Sequence, residues 1–564
     1  MTTVSDTRDA NLVAIFNSDE EADHPPSWLD RIDAWATRAG DAINPILVKE
    51  TRQALKSRQF VATFGLLLFA SLAWTIIGSM LLMPQIYYMP SAPRLLIGYY
   101  LVLAVPMLLV VPLAAYRSLE GEVDDGTLEL LSVTALSPRQ VVSGKLASAA
   151  LQMLLYFIAL FPCVAYAYTL RGVDLPTLAL LMGMLVLAGL GLTIVALFFA
   201  PVTPGRTSQI TSLLAVLSIL LASEFALGSL AIELIQRGNP LSFSDTLFMI
   251  VSVLAIGITV AAILLTATAA KLTPESENRS TGIRIAVLVH MFCVIAVASF
   301  AVASGQAART NPDSLIFIPM VLSIYLVGFW ALVGALMAAE SPAMTPRIRR
   351  ELPGTFLGRL LLTWLTPGPA TGLIFSMATF TVAAAAAHWL LWQLVESSAS
   401  VWIGDALEGH RLMLVLVGCY LMFALVGVRT IVGMLRWKQP VKVSVGIAAM
   451  AVVLLVMSVI PYSIQLHWND YRQFEYSAWQ FTNWIWTIER AGNNSLDGLV
   501  VYLVIALGLI SFLSHLLLVG RRVLPQRLAT PQRVQEEYRR MAGLEPIAEE
   551  ENDPLGLGIS GSKP

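Results

Sequence analysis

Cysteine and charge are both scarce in this sequence, with three cysteines among 564 residues and 13% charged residues. Cys163, Cys293 and Cys419 each stand alone in an apolar run, with no second thiol or histidine at ligand spacing. Neither a disulfide framework nor a metal site is therefore predicted. Soluble domains carry roughly 25% charged residues, so the low charge excludes an ordinary soluble fold. The basic residues are scattered between apolar runs, which argues against a nucleic-acid partner.

Common motifs of catalysis are absent as well. The sequence has no Gly-x-x-x-x-Gly-Lys-Ser/Thr loop to hold nucleotide phosphates, and neither His-Glu-x-x-His nor Gly-x-Ser-x-Gly occurs. Isolated histidines such as His290, His388 and His515 have no partner at ligand spacing and are interpreted as packing residues. We therefore expect that the chain is not an enzyme and that it binds no cofactor or metal itself.

Long apolar runs dominate what is present. A bilayer core of about 30 Å requires about 20 apolar helical residues, because backbone amides in lipid must be satisfied within the segment. The sequence predicts an all-α integral membrane protein with about 12 transmembrane helices. The predicted spans are Val61–Met83, Leu95–Tyr116, Val141–Tyr168, Leu175–Ala200, Gln209–Ile235, Thr246–Ala270, Ile283–Ser304, Leu315–Ala339, Gly372–Val395, Leu412–Met434, Val443–Ile464 and Leu499–Val519.

The distribution of lysine and arginine predicts the orientation, because cytoplasmic loops retain positive charge. The even-numbered loops and the C-terminal flank are the basic ones, and both termini are therefore expected in the cytoplasm. The basic residues are Arg117, Arg139 and Lys145; Arg206; Lys271, Arg279 and Arg284; Arg347, Arg349, Arg350 and Arg359; Arg436, Lys438 and Lys442; and Arg521, Arg522 and Arg527.

The segment before the first span predicts a helix lying in the membrane interface. Its apolar residues recur at helical spacing and basic residues follow, which is typical of helices that lie among lipid headgroups. The alternative is a positive flank that only sets topology. The residues concerned are Trp28, Leu29, Ile32, Trp35 and Ala36, followed by Lys49, Arg52, Lys56 and Arg58.

The loop between the second and third predicted spans is too charged to face lipid and too regularly patterned for a simple connector. Thr127 can cap a short amphipathic helix with Leu128 and Leu131 on its apolar side, and Ser137 with Pro138 is predicted to open the next helix. Such a helix suits either the membrane surface or a groove on a partner protein. A plain topology loop is the alternative.

Here the sequence resembles the type-2 permeases of ABC transporters. The resemblance rests on Asn44-Pro45-Ile46-Leu47-Val48-Lys49-Glu50 with Arg52, and on Glu120, Glu122, Gly126, Thr127, Leu128, Glu129, Leu130, Leu131, Thr134, Leu136, Ser137, Pro138, Gly144 and Lys145. It implies that this loop is the coupling helix that docks on a separate nucleotide-binding ATPase subunit. That partner would bind ATP and magnesium, and the permease would lie in the cell (inner) membrane.

The corresponding loop of the second half repeats part of this pattern. Thr134-Ala-Leu-Ser137-Pro138 aligns with Thr363-Trp-Leu-Thr366-Pro367, and a Gly-Thr pair recurs upstream as Gly354-Thr355. Duplicated halves commonly build transport pathways. We therefore predict a cytoplasmic segment 1–60, a first six-span module 61–270, a linker 271–282, a second and divergent module 283–519, and a cytoplasmic tail 520–564. The second copy lacks the acidic lead-in, so substitution of Gly126 or Glu122 is expected to cost more transport than substitution of Gly354.

Aromatic residues are dense after the eleventh predicted span, from His467 to Trp486. This density indicates a segment at the outer interface, either as a plain aromatic girdle or as the short external helix that the resemblance implies. In the first half, Ser223–Gln236 is considered for the same role. In such a helix, Glu224 and Glu233 would be exposed to water at the membrane surface. If they instead lie within the membrane, they are candidate residues of the substrate pathway.

The sequence favours the permease subunit of an ATP-driven exporter with an unknown, amphipathic or lipid-like substrate. An ion-coupled secondary transporter is a second hypothesis, and it requires midplane charges and interrupted helices. A non-transporting membrane scaffold that recruits a soluble partner is the third.

Overall fold

The structure is a computed structural model, and it describes residues 44–126, 136–201, 206–239, 241–274, 277–304, 314–341, 345–350, 352, 355, 357–358, 362–397, 401–439, 441–472, 475–493, 495–519, 528 and 531–541. Helices and short turns account for the regular structure of these residues, and no strand occurs among them. The fold is therefore all-α, as predicted.

Within the described residues, twelve helices are long and apolar enough to cross a membrane, and each coincides with one of the predicted spans. The protein is thus a multi-pass integral membrane protein of transporter-like architecture. The spans are α2 (Arg58–Leu81), α3 (Ala92–Asp124), α4 (Pro138–Thr169), α5 (Leu175–Phe199), α6 (Arg206–Arg237), α7 (Phe243–Leu272), α8 (Thr281–Ala303), α9 (Ser314–Ala338), α11 (Pro369–Ser397), α12 (Val401–Arg436), α13 (Val445–Trp468) and α15 (Gly498–Val519). Further helices in the described part of the chain are α1 (Pro45–Lys56), α10 (Pro346–Arg350), α14 (Trp484–Gly492) and α16 (Gln532–Met541).

A short amphipathic helix, α1, precedes the first span. Asn44 caps it by accepting from the backbone N–H of Ile46 at 3.0 Å, and Pro45 occupies the first helical position. Ser57 has an extended backbone that separates α1 from α2, and its hydroxyl caps α2 through Phe60. Trp28, Leu29, Ile32, Trp35 and Ala36 lie outside the described residues, and the interfacial position of this segment stays a prediction.

The ends of α3 and α4 frame the loop singled out in the sequence. Helix α3 contains a π turn at Val105–Val110, where Pro106 lacks a backbone donor. Helix α4 begins with a capping box in which the Ser137 hydroxyl and the Gln140 side chain bond each other's backbone N–H groups. The predicted helix start at Ser137 and Pro138 is therefore confirmed.

The chain divides into two compact units. The first contains Met1–Leu241 and Ala267–Leu272, and the second contains Ser242–Thr266 and Thr273–Pro564. The first has a core in which the buried Tyr99, Tyr100, Tyr116 and Tyr156 are prominent. The core of the second is built around Trp330, Phe375 and many small side chains of α9, α11 and α12. The predicted six-span modules describe sequence repetition and stay a prediction.

One expectation in the first unit was wrong. Residues Ser223–Gln236 do not form a separate external helix, because α6 runs unbroken for 32 residues from Arg206 to Arg237. The segment contains no proline, and Gly228 alone costs only about 1 kcal/mol relative to alanine, which is too little to end a long helix.

In the second unit, a short helix does lie between α13 and α15. Helix α14 follows a 3₁₀ turn at Ala478–Gln480, and its buried residues include Thr487 and Ala491. Gln480 is fully buried and donates to the carbonyl of Pro461 at 3.0 Å and to Gln465 Oε1 at 2.6 Å. The aromatic segment is thus folded onto the end of α13.

Candidate functional site

A buried group of charged residues lies where α1, α3 and α4 meet in the first unit. Lys145 Nζ donates to Glu50 Oε1 at 2.9 Å and to Ser118 Oγ at 2.7 Å, and it lies 3.1 Å from Glu122 Oε2. Ser118 Oγ in turn donates to Glu50 Oε2 at 3.0 Å. Lys49 Nζ donates to Glu122 Oε1 at 2.9 Å. We call these five residues the Lys145 cluster.

The cluster balances two cations against two carboxylates, but its two lysines differ in exposure. The Lys145 side chain is 2% exposed, whereas that of Lys49 is 53% exposed. The hydrogen bond to Glu122 raises the pKa of Lys49 above its usual value, so this lysine carries its charge at neutral pH. A buried ion pair contributes little net stability over an apolar core but is costly to break. The cluster therefore fixes how the three helices meet.

Close packing of α1 on α4 reinforces this arrangement. A Cβ atom built on Gly144 would lie 2.8 Å from the Ile46 side chain, so only glycine fits there without movement. One turn away, Asn44 Nδ2 donates to the carbonyl of Gln140 at 2.6 Å. The motif before the first span and the motif after Pro138 are thus in direct contact. The resemblance names most of these residues without indicating that they pair.

The described residues at the end of α3, where the candidate coupling loop begins, make further side-chain hydrogen bonds. Tyr116 donates to Glu120 Oε1 at 3.0 Å, and Gln209 donates to both carboxylate oxygens of Asp124 at 2.7 Å. Gly126 has φ +66°, and a Cβ atom built on it would meet nothing within 4 Å. Thr127, Leu128, Glu129, Leu130 and Leu131 lie outside the described residues, so the predicted coupling helix stays a prediction.

A second buried charge group lies in the second unit, beside the turn that precedes α11. Arg284, at the start of α8, is fully buried and donates to Glu340 Oε2 at 2.7 Å, just after the end of α9. Its guanidinium also donates to the carbonyls of Trp364 at 2.6 Å and Gly368 at 3.2 Å. Glu340 Oε2 accepts a further bond from the backbone N–H of Gly368 at 2.8 Å. The Arg284 cluster, as we call these four residues, joins α8, α9 and the turn before α11.

The aligned prolines of the two halves follow residues of nearly identical backbone geometry. Ser137 has φ −79° and ψ 149°, and Thr366 has φ −78° and ψ 147°. Thr366 is buried, Pro367 is half-buried, and Thr355 is exposed, whereas Gly354 lies outside the described residues. Helix α11 begins two residues after Pro367, at Pro369, because Gly368 intervenes with φ +137°.

Sequence reasoning missed the Arg284 cluster. In the sequence, Arg284 counts among the basic residues that mark a cytoplasmic loop, although it follows Thr281, the first residue of α8, by three positions. The available signal was a charge inside a predicted span, beside an acid directly after another span. Arg436 adds to the same region, since it donates to the backbone carbonyls of Glu340, at 2.6 Å, and Ala339.

The two candidate acids of α6 lie in different environments. Glu233 pairs with Arg237 at 2.7 Å, one turn further along, and both side chains are exposed. Glu224 is half-buried, and its Oε2 has no hydrogen-bond partner among the residues that the structure describes. Neither acid belongs to the Lys145 cluster, and their part in a substrate pathway stays a prediction.

In the second unit, the histidines that stand isolated in the sequence each lie next to another polar side chain. His290 contacts Thr259 at 2.8 Å, and Arg429 lies 2.6 Å from His515. His388 and His410 approach to 3.5 Å through their Nδ1 atoms. Within the described ranges, no three His, Cys, Asp or Glu side chains converge as a metal site.

Comparisons with protein-family models, curated proteins and solved structures give no match to this chain. The functional argument therefore depends on the sequence motifs and on the two charge clusters.

Proposed function

We propose that this chain is the membrane-spanning permease subunit of an ATP-driven exporter and that a separate nucleotide-binding subunit supplies the ATPase. The observation that carries the proposal is the Lys145 cluster, which joins α1, α3 and α4 at the base of the candidate coupling loop. The resemblance to type-2 permeases of ABC transporters supplies the identity of the partner. The twelve spans provide the membrane pathway.

The cluster gives the loop a rigid attachment. Glu122 lies four residues before Gly126, where the loop leaves α3, and Lys145 lies two turns into α4, after the loop returns at Ser137. The ion pairs and the Ile46–Gly144 contact hold both ends to α1. A push on the loop would therefore displace three helices together, which is what coupling requires.

The second half supports a weaker coupling element. The Arg284 cluster holds the turn at Thr366 and Pro367, in the same chain position as Ser137 and Pro138, but it contains only one acidic side chain. Unequal docking of the two loops on the ATPase subunits follows from this difference. In this proposal the loops and both termini face the cytoplasm, and the partner holds ATP and magnesium.

The alternatives differ in what they need from the chain. An ion-coupled transporter would use a buried ionisable group, and Glu224 with its unpartnered oxygen is the strongest candidate in the described part of the spans. Glu224 is half-buried and interacts electrostatically with the buried Tyr100 of α3, but no further His, Cys, Asp or Glu side chains converge with it as a metal site within the described ranges. A scaffold without transport would need the loop only to bind a soluble partner.

Two glycines allow a matched test of coupling. Gly126 and Gly238 both have positive φ, +66° and +75°, and a Cβ atom at either would meet nothing within 4 Å. Valine at either position incurs the same kind of backbone strain, but Gly238 lies in the loop between α6 and α7, predicted to be external. The full chain is purified from its native membrane with its bound proteins, and ATP hydrolysis in the preparation is measured.

We expect the wild type and Gly238→Val to retain a nucleotide-binding subunit and equal ATPase activity. Gly126→Val is expected to reduce the retained ATPase activity about tenfold, corresponding to about 1.4 kcal/mol. Absence of any nucleotide-binding protein from the wild-type preparation would refute the proposal. Equal activity in all three preparations would remove the loop from the coupling mechanism.

A further inference from the structure

An apolar groove opens on the second unit between α11, α12 and α15. Its volume is about 630 Å³. The floor includes Gly418 and Cys419 of α12 and Gly508 of α15, where a Cβ atom on Gly508 would lie 2.8 Å from Cys419. Small residues thus leave a channel between helices that touch at its base.

One end of the groove is polar, and the rest is lined by apolar side chains. Arg411 and His388 stand at this end, which faces the link between α11 and α12; Arg411 follows the start of α12 by ten residues, and His388 precedes the end of α11 by nine. From Arg411 to Met422 the groove follows α12 for 11 residues, or about 16 Å at 1.5 Å per residue. That length is close to one leaflet of the hydrocarbon core, which is about 15 Å thick.

The Arg411 side chain is exposed at the groove and makes no ion pair or hydrogen bond within the described ranges. Glu408, one turn earlier on α12, does not pair with it. His388 is held beside it by His410, whose Nε2 contacts Ser323 Oγ at 2.8 Å. A polar edge, whose Arg411 has no counter-charge among the described residues, therefore caps an apolar channel of one-leaflet depth.

We propose that this groove is a binding site for one membrane phospholipid with a net negative headgroup, with an acyl chain in the groove and the headgroup at Arg411. Charge complementarity selects the anionic lipid, because a basic residue near the bilayer surface is worth about 1 kcal/mol toward anionic headgroups. The channel length and the small residues of its floor accommodate the chain. The site does not depend on the proposed exporter function.

Three substitutions test separately the charge of Arg411, the space in the groove and the effect of a bulky side chain elsewhere on α11. Arg411→Gln removes the charge. Ala385→Trp fills the groove from an exposed position of α11, so that the core is not disturbed. Val382→Trp is the control, since Val382 is 68% exposed on the same helix and does not line the groove. The purified full chain, without an ATPase partner, is reconstituted in nanodiscs of equal phosphatidylcholine and phosphatidylglycerol, and the retained lipids are identified by native mass spectrometry.

We expect the wild type and Val382→Trp to retain one phosphatidylglycerol, with about fivefold preference over phosphatidylcholine. Arg411→Gln should lose the preference, and Ala385→Trp should lose the retained lipid. Thermal unfolding of all variants is expected to match that of the wild type. The proposal fails if the wild type shows no preference, if Ala385→Trp retains the lipid, or if the lipid-free wild type appears as a dimer that Ala385→Trp dissociates.

Discussion

Among individual residues of the first unit, Lys145 is the buried cation of the Lys145 cluster. It lies between the carboxylates of Glu50 and Glu122 with almost no exposure to solvent. Lys49 contacts the same Glu122 from an exposed position. The two lysines therefore make similar ion pairs in different environments, and exposure should decide their contributions.

Lys145→Met should lower the stability of the folded protein by about 3 kcal/mol, because the buried Glu50 and the half-buried Glu122 lose the cation that they share. Lys49→Met, the matched control, should cost less than about 1 kcal/mol, since exposed pairs are screened by solvent. Thermal unfolding in detergent measures both. Equal decreases in unfolding temperature would show that burial does not govern the cluster.

Whether a feature could be predicted from the sequence depends on how far apart in the chain the residues that form it lie. A span is a local property of about 20 residues, so all twelve could be predicted from composition alone. The pairing of Lys145 with Glu50 joins positions 95 residues apart, and no local pattern encodes it. Arg284 shows the same limit, because its charge resembles a topology marker in the sequence and its partner Glu340 is evident only in the fold.

At the scale of elements, the contact between α1 and α4 is set by Gly144. Gly144→Val should place a side chain against Ile46 and destabilise the first unit by about 1–3 kcal/mol through overpacking. Gly183→Val is the control, because nothing lies within 4 Å of a Cβ atom at that position of α5.

A second substitution identifies the contact itself. Ile46→Ala combined with Gly144→Val should recover part of the lost stability, measured as unfolding temperature, because the smaller side chain makes room. The double variant could instead be less stable than Gly144→Val by the full cost of Ile46→Ala. The two residues would then not interact, and the contact with Ile46 would not be the reason why glycine is needed at position 144.

The join between α8 and α9 depends on Glu340. Glu340→Gln should cost about 3 kcal/mol, because the fully buried Arg284 loses its counter-charge. Glu277→Gln is the control, since Glu277 pairs with Arg347 at 2.9 Å on the surface of the same unit. That exposed pair should contribute less than about 1 kcal/mol. Unfolding followed by intrinsic fluorescence tests the difference, and a larger loss at Glu277 would contradict it.

For the whole molecule, the decisive prediction is topology. In a chain whose three cysteines are replaced by alanine, single cysteines are introduced at the exposed positions Asp125, Thr355 and Glu475. A membrane-impermeant maleimide should label Glu475→Cys in intact cells. Asp125→Cys and Thr355→Cys should react only after permeabilisation, because positive-inside charge places their loops in the cytoplasm.

Labelling of Asp125→Cys in intact cells would place the loop on the wrong side for a cytoplasmic ATPase, and the proposed function would fail with it. The anionic-lipid site would be unaffected, because it requires only that Arg411 lie near a bilayer surface.

The π turn of α3 determines the direction in which the Lys145 cluster faces. A π turn contains one residue more than an α turn, and one added residue rotates everything after it by about 100° around the helix axis. Ser118 and Glu122 follow the turn at Val105–Val110, so the turn sets the direction in which they point relative to the N-terminal half of α3. Deletion of Leu109 would restore a regular helix and swing both side chains about a quarter-circle away from Lys145, with the loop still attached.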